Sequence, residues 1–234
     1  MPLGELAGRL CLAKPTCAHI LKTLCTLNYV EQVAPRKGYC LGPGLYALAR
    51  GGGYRADLVA AAEPAMRALA SGVRETVLLA VLRGRRRFTL AQFVGTQDVQ
   101  VRAAPAVEAN VYETATGRLL LACADRAARE AFIAEAGLPG AGWPEVAGPA
   151  QLDRALADIR RAGRVVHHTP THVVGIAYAL RHEARVVAAL GLFLPEYRFE
   201  GEHREAVLAG MERAAADISS RLAAPVGATA AKGG

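Results

Sequence analysis

Residues 3–42 read LGELAGRLCLAKPTCAHILKTLCTLNYVEQVAPRKGYCLG, and this stretch predicts two short helices followed by a hairpin. Leu3, Leu6 and Leu10 recur at helical spacing before a break at 11–13. In the second helix Ile20, Leu21, Leu24 and Leu27 recur at helical spacing, and we expect Ile20, Leu24 and Leu27 to form an apolar stripe away from the polar face. Strands at 29–31 and 39–41, joined by a Pro-Arg-Lys-Gly turn, complete the layout of a winged helix-turn-helix.

The polar side of the second helix has the chemistry of a DNA-reading surface. Short polar and cationic groups share that side, and the hairpin tip adds cations that can reach phosphates. Six residues are the predicted DNA contacts: Lys14, Thr16, His19, Lys22, Arg36 and Lys37. Residues 1–50 carry six Lys and Arg against two Glu, a net of +4 out of +7 for the whole chain. A small helical cap with a solvated basic face is the alternative.

Composition limits the class of protein. The chain has 234 residues, 52% of them hydrophobic, and a pI near 9.4, which suits a polyanion partner. It contains no apolar run of membrane-spanning length and no secretory signal, so we expect a cytoplasmic protein with no membrane contact. The five cysteines form no C-x-x-C and no zinc spacing, which predicts reduced thiols, with redox sensing as the alternative. No metal and no cofactor is predicted.

The order of elements predicts an α+β fold, because helices and strands mix without regular alternation. Helices are expected over 57–71, 116–136, 151–162 and 202–222, and strands over 73–81, 88–94, 99–103, 165–166, 173–180 and 185–194. The triple glycine at 51–53 suggests a boundary. The predicted domains are 1–42 (DNA-binding), 43–56 (linker helix and flexible break), 57–223 (effector-binding) and 224–234 (flexible tail).

Five motifs resemble the IclR family of bacterial transcription regulators, in order over nearly the whole chain. They are LxELAxRLxLAKPTxxHILKTLxxLxYVE near the start, YxLGxGLxxLA at 39–49, YETATGRLLLA at 112–122, HVVGIAYAL at 172–180 and VVAALGLFLP at 186–195. The resemblance implies a winged-helix DNA-binding domain, a linker helix and a GAF/PAS-like α/β effector domain with an antiparallel sheet. It also implies a homodimer or homotetramer on a palindromic DNA operator, and a small carboxylate effector.

Two departures from the family bear on DNA binding. The family's DNA-binding domain begins with another helix, so this winged helix-turn-helix is incomplete, and we expect either an upstream start or impaired DNA binding. His19 stands where the family usually has an arginine. Neutral imidazole would contact phosphate or guanine more weakly than guanidinium.

The effector site is predicted around the turn at 114–117, which leads directly into a helix. Free N–H groups and the helix dipole favour a carboxylate there, although the turn could be only a helix cap. The predicted effector contacts are Tyr112, Thr114, Ala115, Thr116, Gly117, His168, Gly175, Gly191 and Phe193. Because Gly175, Gly191 and Phe193 replace polar groups of the family, we expect a roomy apolar pocket for an aromatic or bulky acid.

Two further clusters are predicted to be solvated surface. For the basic turn at 83–87, the alternative is contact with phosphate. For the histidines at 167, 168 and 172, the alternative is an anion clamp or a pH-sensitive element. No catalytic motif is present, so the chain is predicted not to be an enzyme. The prediction is a ligand-responsive, DNA-binding repressor. The alternatives are a truncated paralogue that dimerises and binds ligand without DNA, and a hydrolase using His167 or His172.

Overall fold

The computed structural model describes residues 1–34, 37–50, 54–101 and 105–224. The chain divides into two compact units, residues 1–56 and 57–234. The mixture of helices with antiparallel sheets confirms the predicted α+β class. The break expected at 51–53 lies outside the described residues, and so does the tail expected over 224–234 except for its first residue.

The described residues of the first unit form three helices and a two-stranded hairpin. These elements are α1 (Leu3–Arg9), α2 (Lys14–Thr26), β1 (Val30–Gln32), β2 (Tyr39–Leu41) and α3 (Pro43–Arg50). Strands β1 and β2 pair antiparallel, with Glu31 opposite Cys40. Pro15 lies in the first turn of α2, where its missing N–H costs no hydrogen bond.

The core face of α2 includes Leu21 but otherwise differs from the expected apolar stripe. Cys17 and Leu21 are buried against Ala7 of α1. Ile20 and Leu27, which belong to that stripe, are instead 44% and 50% exposed. The buried face of α2 is therefore centred on Cys17 and Leu21, and Ile20 and Leu27 lie outside it.

The second unit is built on a six-stranded antiparallel sheet. Its helices are α4 (Ala56–Val73), α5 (Ala115–Cys123), α6 (Arg126–Ala136), α7 (Pro149–Ala162) and α8 (Gly201–Ala223). Its strands are β3 (Thr76–Arg83), β4 (Arg86–Phe93), β5 (Val107–Glu108), β6 (Arg164–His168), β7 (Val173–His182) and β8 (Arg185–Pro195). The strand order is β5-β4-β3-β8-β7-β6.

Alternating apolar residues explain why helices cover both faces of this sheet. In β3, Val77 and Leu79 pack with α4 and α8, whereas Leu78 and Ala80 pack with α5. Side chains of a strand point to opposite faces in turn, so an unbroken apolar strand needs cover on both sides. The short helix α5 therefore has its first turn held directly against the sheet.

Two predicted elements differ in the structure. The single helix expected over 116–136 is two helices, because Ala124 has extended backbone and Asp125 caps α6 by accepting from the Ala128 N–H at 2.7 Å. The strand expected over 99–103 is absent at 99–101, and 102–103 lie outside the described residues. Within the described part of the chain, no helix has the length and apolar character needed to cross a membrane.

Candidate functional site

A partly enclosed cavity of about 190 Å³ lies between the first turn of α5 and the sheet of the second unit. Its walls are largely apolar, with Leu78, Ile176 and Phe193 among the lining residues. Two nitrogen-bearing side chains also line it, Arg87 and His167. An apolar cavity with a few polar groups is the usual form of a small-molecule site.

Six of the nine predicted effector residues line this cavity. They are Thr114, Ala115, Thr116, Gly175, Gly191 and Phe193. They come from α5, from the residue before it, and from β7 and β8. The pairing of Gly175 with Phe193 and of Ala177 with Gly191 aligns these two strands.

The other three predicted residues do not line the cavity. Tyr112 is buried, packs edge-on against Phe132, and donates its hydroxyl to the Gly137 carbonyl at 2.9 Å. Burial raises the pKa of Tyr112 to about 12. Gly117 lies within the first turn of α5. His168 is exposed and its Nδ1 lies 2.7 Å from Oε1 of Glu196.

The turn before α5 works at least in part as a helix cap. The Gly117 N–H donates to Oγ1 of Thr114 at 3.1 Å. The Gly117 N–H is therefore already used in the helix cap. Thr114, Ala115 and Thr116 are the residues of this turn that line the cavity. A Cβ at Gly117 would collide with the carbonyl oxygen of Val111, so only glycine fits this turn as it stands.

The two glycines of the sheet serve close packing. A Cβ at Gly191 would lie 2.6 Å from Cγ2 of Thr116 and 2.9 Å from Cδ1 of Leu78. A Cβ at Gly175 would lie 3.4 Å from that of Ala115. Gly191 therefore lines the cavity and also allows Thr116 of α5 and Leu78 of β3 to approach β8 closely.

Arg87 was not among the predicted site residues, since the basic turn at 83–87 was expected to be solvated. Its side chain is 1% exposed and lines the cavity. Strand pairing explains this, because Arg87 lies opposite Leu82 and therefore on the α5 side of the sheet. Burial lowers the pKa of Arg87, and the charge of nearby Glu108 offsets part of this lowering. Of the other turn residues, Arg85 pairs with Glu135 at 2.8 Å.

His167 lines the cavity, although its neighbour His168 was the predicted contact. The burial of β6 alternates, so Val165 and His167 point inward. Burial, followed by the charge of Arg118, lowers the pKa of His167 to about 4. The imidazole is therefore neutral at pH 7.

Acidification is expected to destabilise the protein through His167. Its pKa falls from 6.5 to about 4 on folding, so between these values the unfolded chain binds more protons and stability drops as the pH falls. At 1.36 kcal/mol per pKa unit, the loss is about 3 kcal/mol. Urea unfolding from pH 7 to pH 4 should show a shallower decline for His167→Asn than for the wild type. His168→Asn, at the exposed neighbour, is the control, and equal declines for wild type and His167→Asn would contradict the assignment.

The predicted DNA-contacting residues of α2 are all exposed. Lys14, Thr16, His19 and Lys22 lie outside the buried face formed by Cys17 and Leu21. Lys37 of the hairpin turn is exposed as well, and Arg36 lies outside the described residues. The first unit thus combines a helix buried on one side with cations on its free side.

The described residues contain neither a candidate metal site nor a disulfide bond. They contain no group of three or more His, Cys, Asp or Glu that could hold a metal ion. All five cysteines have free thiols, at 11, 17, 25, 40 and 123. The two histidines at 168 and 172 both bind one carboxylate, that of Glu196, whose pKa they lower.

The second unit matches a known protein family. The family model described as "Bacterial transcriptional regulator IclR C-terminal" matches residues 54–220, well over half of the chain. The chain belongs to the IclR family. Among curated IclR-family relatives, the regulator TtgV of Pseudomonas putida is 27% identical over 176 residues. The match covers 75% of this chain and 66% of TtgV, just under two thirds of its length.

Solved structures of the IclR family share the fold. An IclR homologue from Microbacterium hydrocarbonoxydans, solved with 4-hydroxybenzoate, is 27% identical with a TM-score of 0.77, covering 95% of this chain and 91% of its own. A regulator from Silicibacter sp. TM1040 is 23% identical with a TM-score of 0.79, covering 96% and 90%, and supports the fold alone. The curated relatives are transcriptional regulators, which confirms that the chain is not an enzyme.

Proposed function

We propose that this protein is a ligand-responsive, DNA-binding transcriptional repressor whose cavity binds a small organic acid containing one ring. The observation that carries the proposal is the cavity at the first turn of α5, inside the region that matches the IclR C-terminal domain. Its effector residues are those predicted at 114–116, 175, 191 and 193, to which we add Arg87 and His167. The repressor sign follows the family resemblance.

The size and lining of the cavity favour a ring. An engineered apolar cavity of about 150 Å³ accommodates benzene. The present cavity, of about 190 Å³ and with Leu78 and Phe193 in its walls, has room for one ring and a carboxylate. The complex of the Microbacterium homologue with 4-hydroxybenzoate supports the same ligand class.

DNA binding is proposed for the exposed side of α2. Lys14, Thr16, His19 and Lys22 would face the major groove, and the tip of the β1–β2 hairpin, with Arg36 and Lys37, would contact phosphates. A homodimer or homotetramer would place two such helices on the halves of a palindromic operator. The alternative, a paralogue that binds ligand without holding DNA, is an outcome of the following test.

Replacing Lys22 with alanine is expected to weaken binding to DNA from the chain's own upstream region about tenfold. Loss of one phosphate contact should also reduce the slope of log affinity against log salt by about 1. Fluorescence anisotropy across a salt series measures both quantities. Arg126→Ala is the control, since that cation is exposed but lies in the second unit. Weak binding of the wild type that is equal on native and scrambled DNA would instead support the alternative.

A further inference from the structure

Arg87 differs from the other buried arginine near the cavity in having an unused donor. Its Nη1 donates to Oγ1 of Thr89 at 2.9 Å, and its Nη2 makes a long contact of 3.5 Å with the Pro105 carbonyl. Its Nε is buried and has no hydrogen-bond partner among the described residues. A buried donor without an acceptor is costly, so this N–H marks a position where an acceptor is missing.

Arg118, on α5, shows what a satisfied buried arginine looks like in this domain. Its Nε donates to the Tyr112 carbonyl at 2.7 Å and its Nη2 to the Gly142 carbonyl at 2.8 Å. Its guanidinium also stacks 4.1 Å from the ring centre of Trp143. Arg118 therefore has a structural role, whereas Arg87 has one unpartnered donor, Nε, and one long contact through Nη2.

The charge of Arg87 is only partly compensated, because nearby Glu108 favours the charged form without bonding to it. Within the part of the chain that the structure describes, no carboxylate forms an ion pair with it, and Glu108, which pairs with it across the strands, accepts instead from the Asn110 N–H at 2.9 Å. A buried guanidinium without a bonded anion is costly to the empty protein. An anion that enters the cavity would remove this cost.

Arg198 shows how a guanidinium of this domain binds a carboxylate when one is present. Its Nε and Nη2 donate to the two oxygens of Glu75 at 2.7 and 2.8 Å. This side-on pairing is a strong and directional form of carboxylate recognition.

We propose that Arg87 is the effector-binding residue whose guanidinium holds the ligand's carboxylate, and that the effector is therefore a one-ring monocarboxylate. This inference rests on the proposed function and assigns its recognition chemistry. The ring lies against the apolar wall at Leu78 and Phe193. Glu108 and Glu113 also line the cavity and repel anions, so Arg87 has to outweigh them to hold one carboxylate. A second carboxylate is disfavoured, because it would meet the two glutamates without an arginine of its own. Recognition of the effector is thus assigned to Arg87 on β4 in addition to the turn at 114–116.

The test is calorimetric titration of the full chain with matched one-ring probes: benzoate, phenylacetate, benzamide, benzylamine and terephthalate. We expect the two monocarboxylates to bind the wild type on the order of 100-fold more tightly than benzamide, from two charge-assisted hydrogen bonds. In Arg87→Met the acids should fall to the affinity of the amide. Arg86→Met, its exposed neighbour on β4, should bind like the wild type.

Thermal unfolding of the empty proteins separates binding from a structural role. Arg87→Met should melt at or above the wild-type temperature, because the substitution removes an unpaired buried charge. Equal binding of benzoate by wild type and Arg87→Met, or tighter binding of benzamide or benzylamine than of the acids, would overturn the assignment of Arg87 and leave the regulator proposal standing. Failure of the folded wild type to bind any probe would overturn the one-ring acid function and this inference together.

Discussion

Replacing Glu75 with alanine is expected to lower the free energy of unfolding by about 3–5 kcal/mol, the usual cost of breaking a buried ion pair from one side. The Glu75 carboxylate is 4% exposed, and the Arg198 guanidinium that it binds is 14% exposed. Nε2 of His203 lies 3.3 Å from the same carboxylate. The contact joins the residue before β3 to the turn after β8 and to α8, so its loss leaves a partly buried cation without its carboxylate partner at a junction of three elements. Urea unfolding at pH 7 measures the effect.

Glu63→Ala is the matched control for this prediction. Glu63 pairs with Arg67 one turn away on α4 at 2.7 Å, and both side chains are largely exposed. Exposed pairs of this kind contribute less than about 0.5 kcal/mol. A similar loss in the two variants would mean that burial does not strengthen the Glu75 contact.

Replacing Gly117 with alanine is expected to cost about 3 kcal/mol, the upper end of the range for overpacking. The added Cβ would overlap the main-chain oxygen of Val111, and Oγ1 of Thr114 would lie 2.6 Å from it. Main-chain atoms cannot swing aside as a side chain can, so the turn at 114–117 must shift. Because this turn forms a wall of the cavity, the variant should also lose affinity for benzoate. Urea unfolding and calorimetry measure the two effects.

Gly72→Ala gives the control with the opposite sign. Gly72 lies in α4, and a Cβ there would meet nothing within 4 Å. Alanine at an unobstructed helical position stabilises by about 0.5–1 kcal/mol relative to glycine. If both glycine variants were equally destabilised, the close approach at Val111 would not explain the requirement for glycine at 117.

Local periodicity predicted most elements of the second unit, because apolar strands and amphipathic helices carry their pattern in the sequence. The strands expected over 173–180 and 185–194 correspond to β7 and β8, and the helix expected over 202–222 corresponds to α8. The single helix over 116–136 was wrong because an aspartate cap overrides helical spacing that continues on both sides of it.

Six predicted residues, from the turn at 114–116 and from β7 and β8, line the cavity, whereas Arg87 and His167 were missed because their inward orientation depends on strand pairing and alternation. Arg87 looked like part of a solvated arginine turn, and only its pairing opposite Leu82 shows that it points inward. His167 could have been found by alternation from Val165, had β6 been extended to 168. The role of Gly191 could not be predicted, because it depends on how closely α5 approaches the sheet.

Anisotropy of labelled DNA from the chain's own upstream region, titrated with the protein in the presence and absence of benzoate, tests the central claim most directly. The account predicts that wild-type protein binds this DNA more tightly than scrambled DNA, that salt weakens binding steeply, and that benzoate lowers the affinity for the native fragment. Arg87→Met should bind the DNA without responding to benzoate. If the wild type binds benzoate but its affinity for DNA is the same with and without the acid, the protein is not a regulator controlled through this cavity.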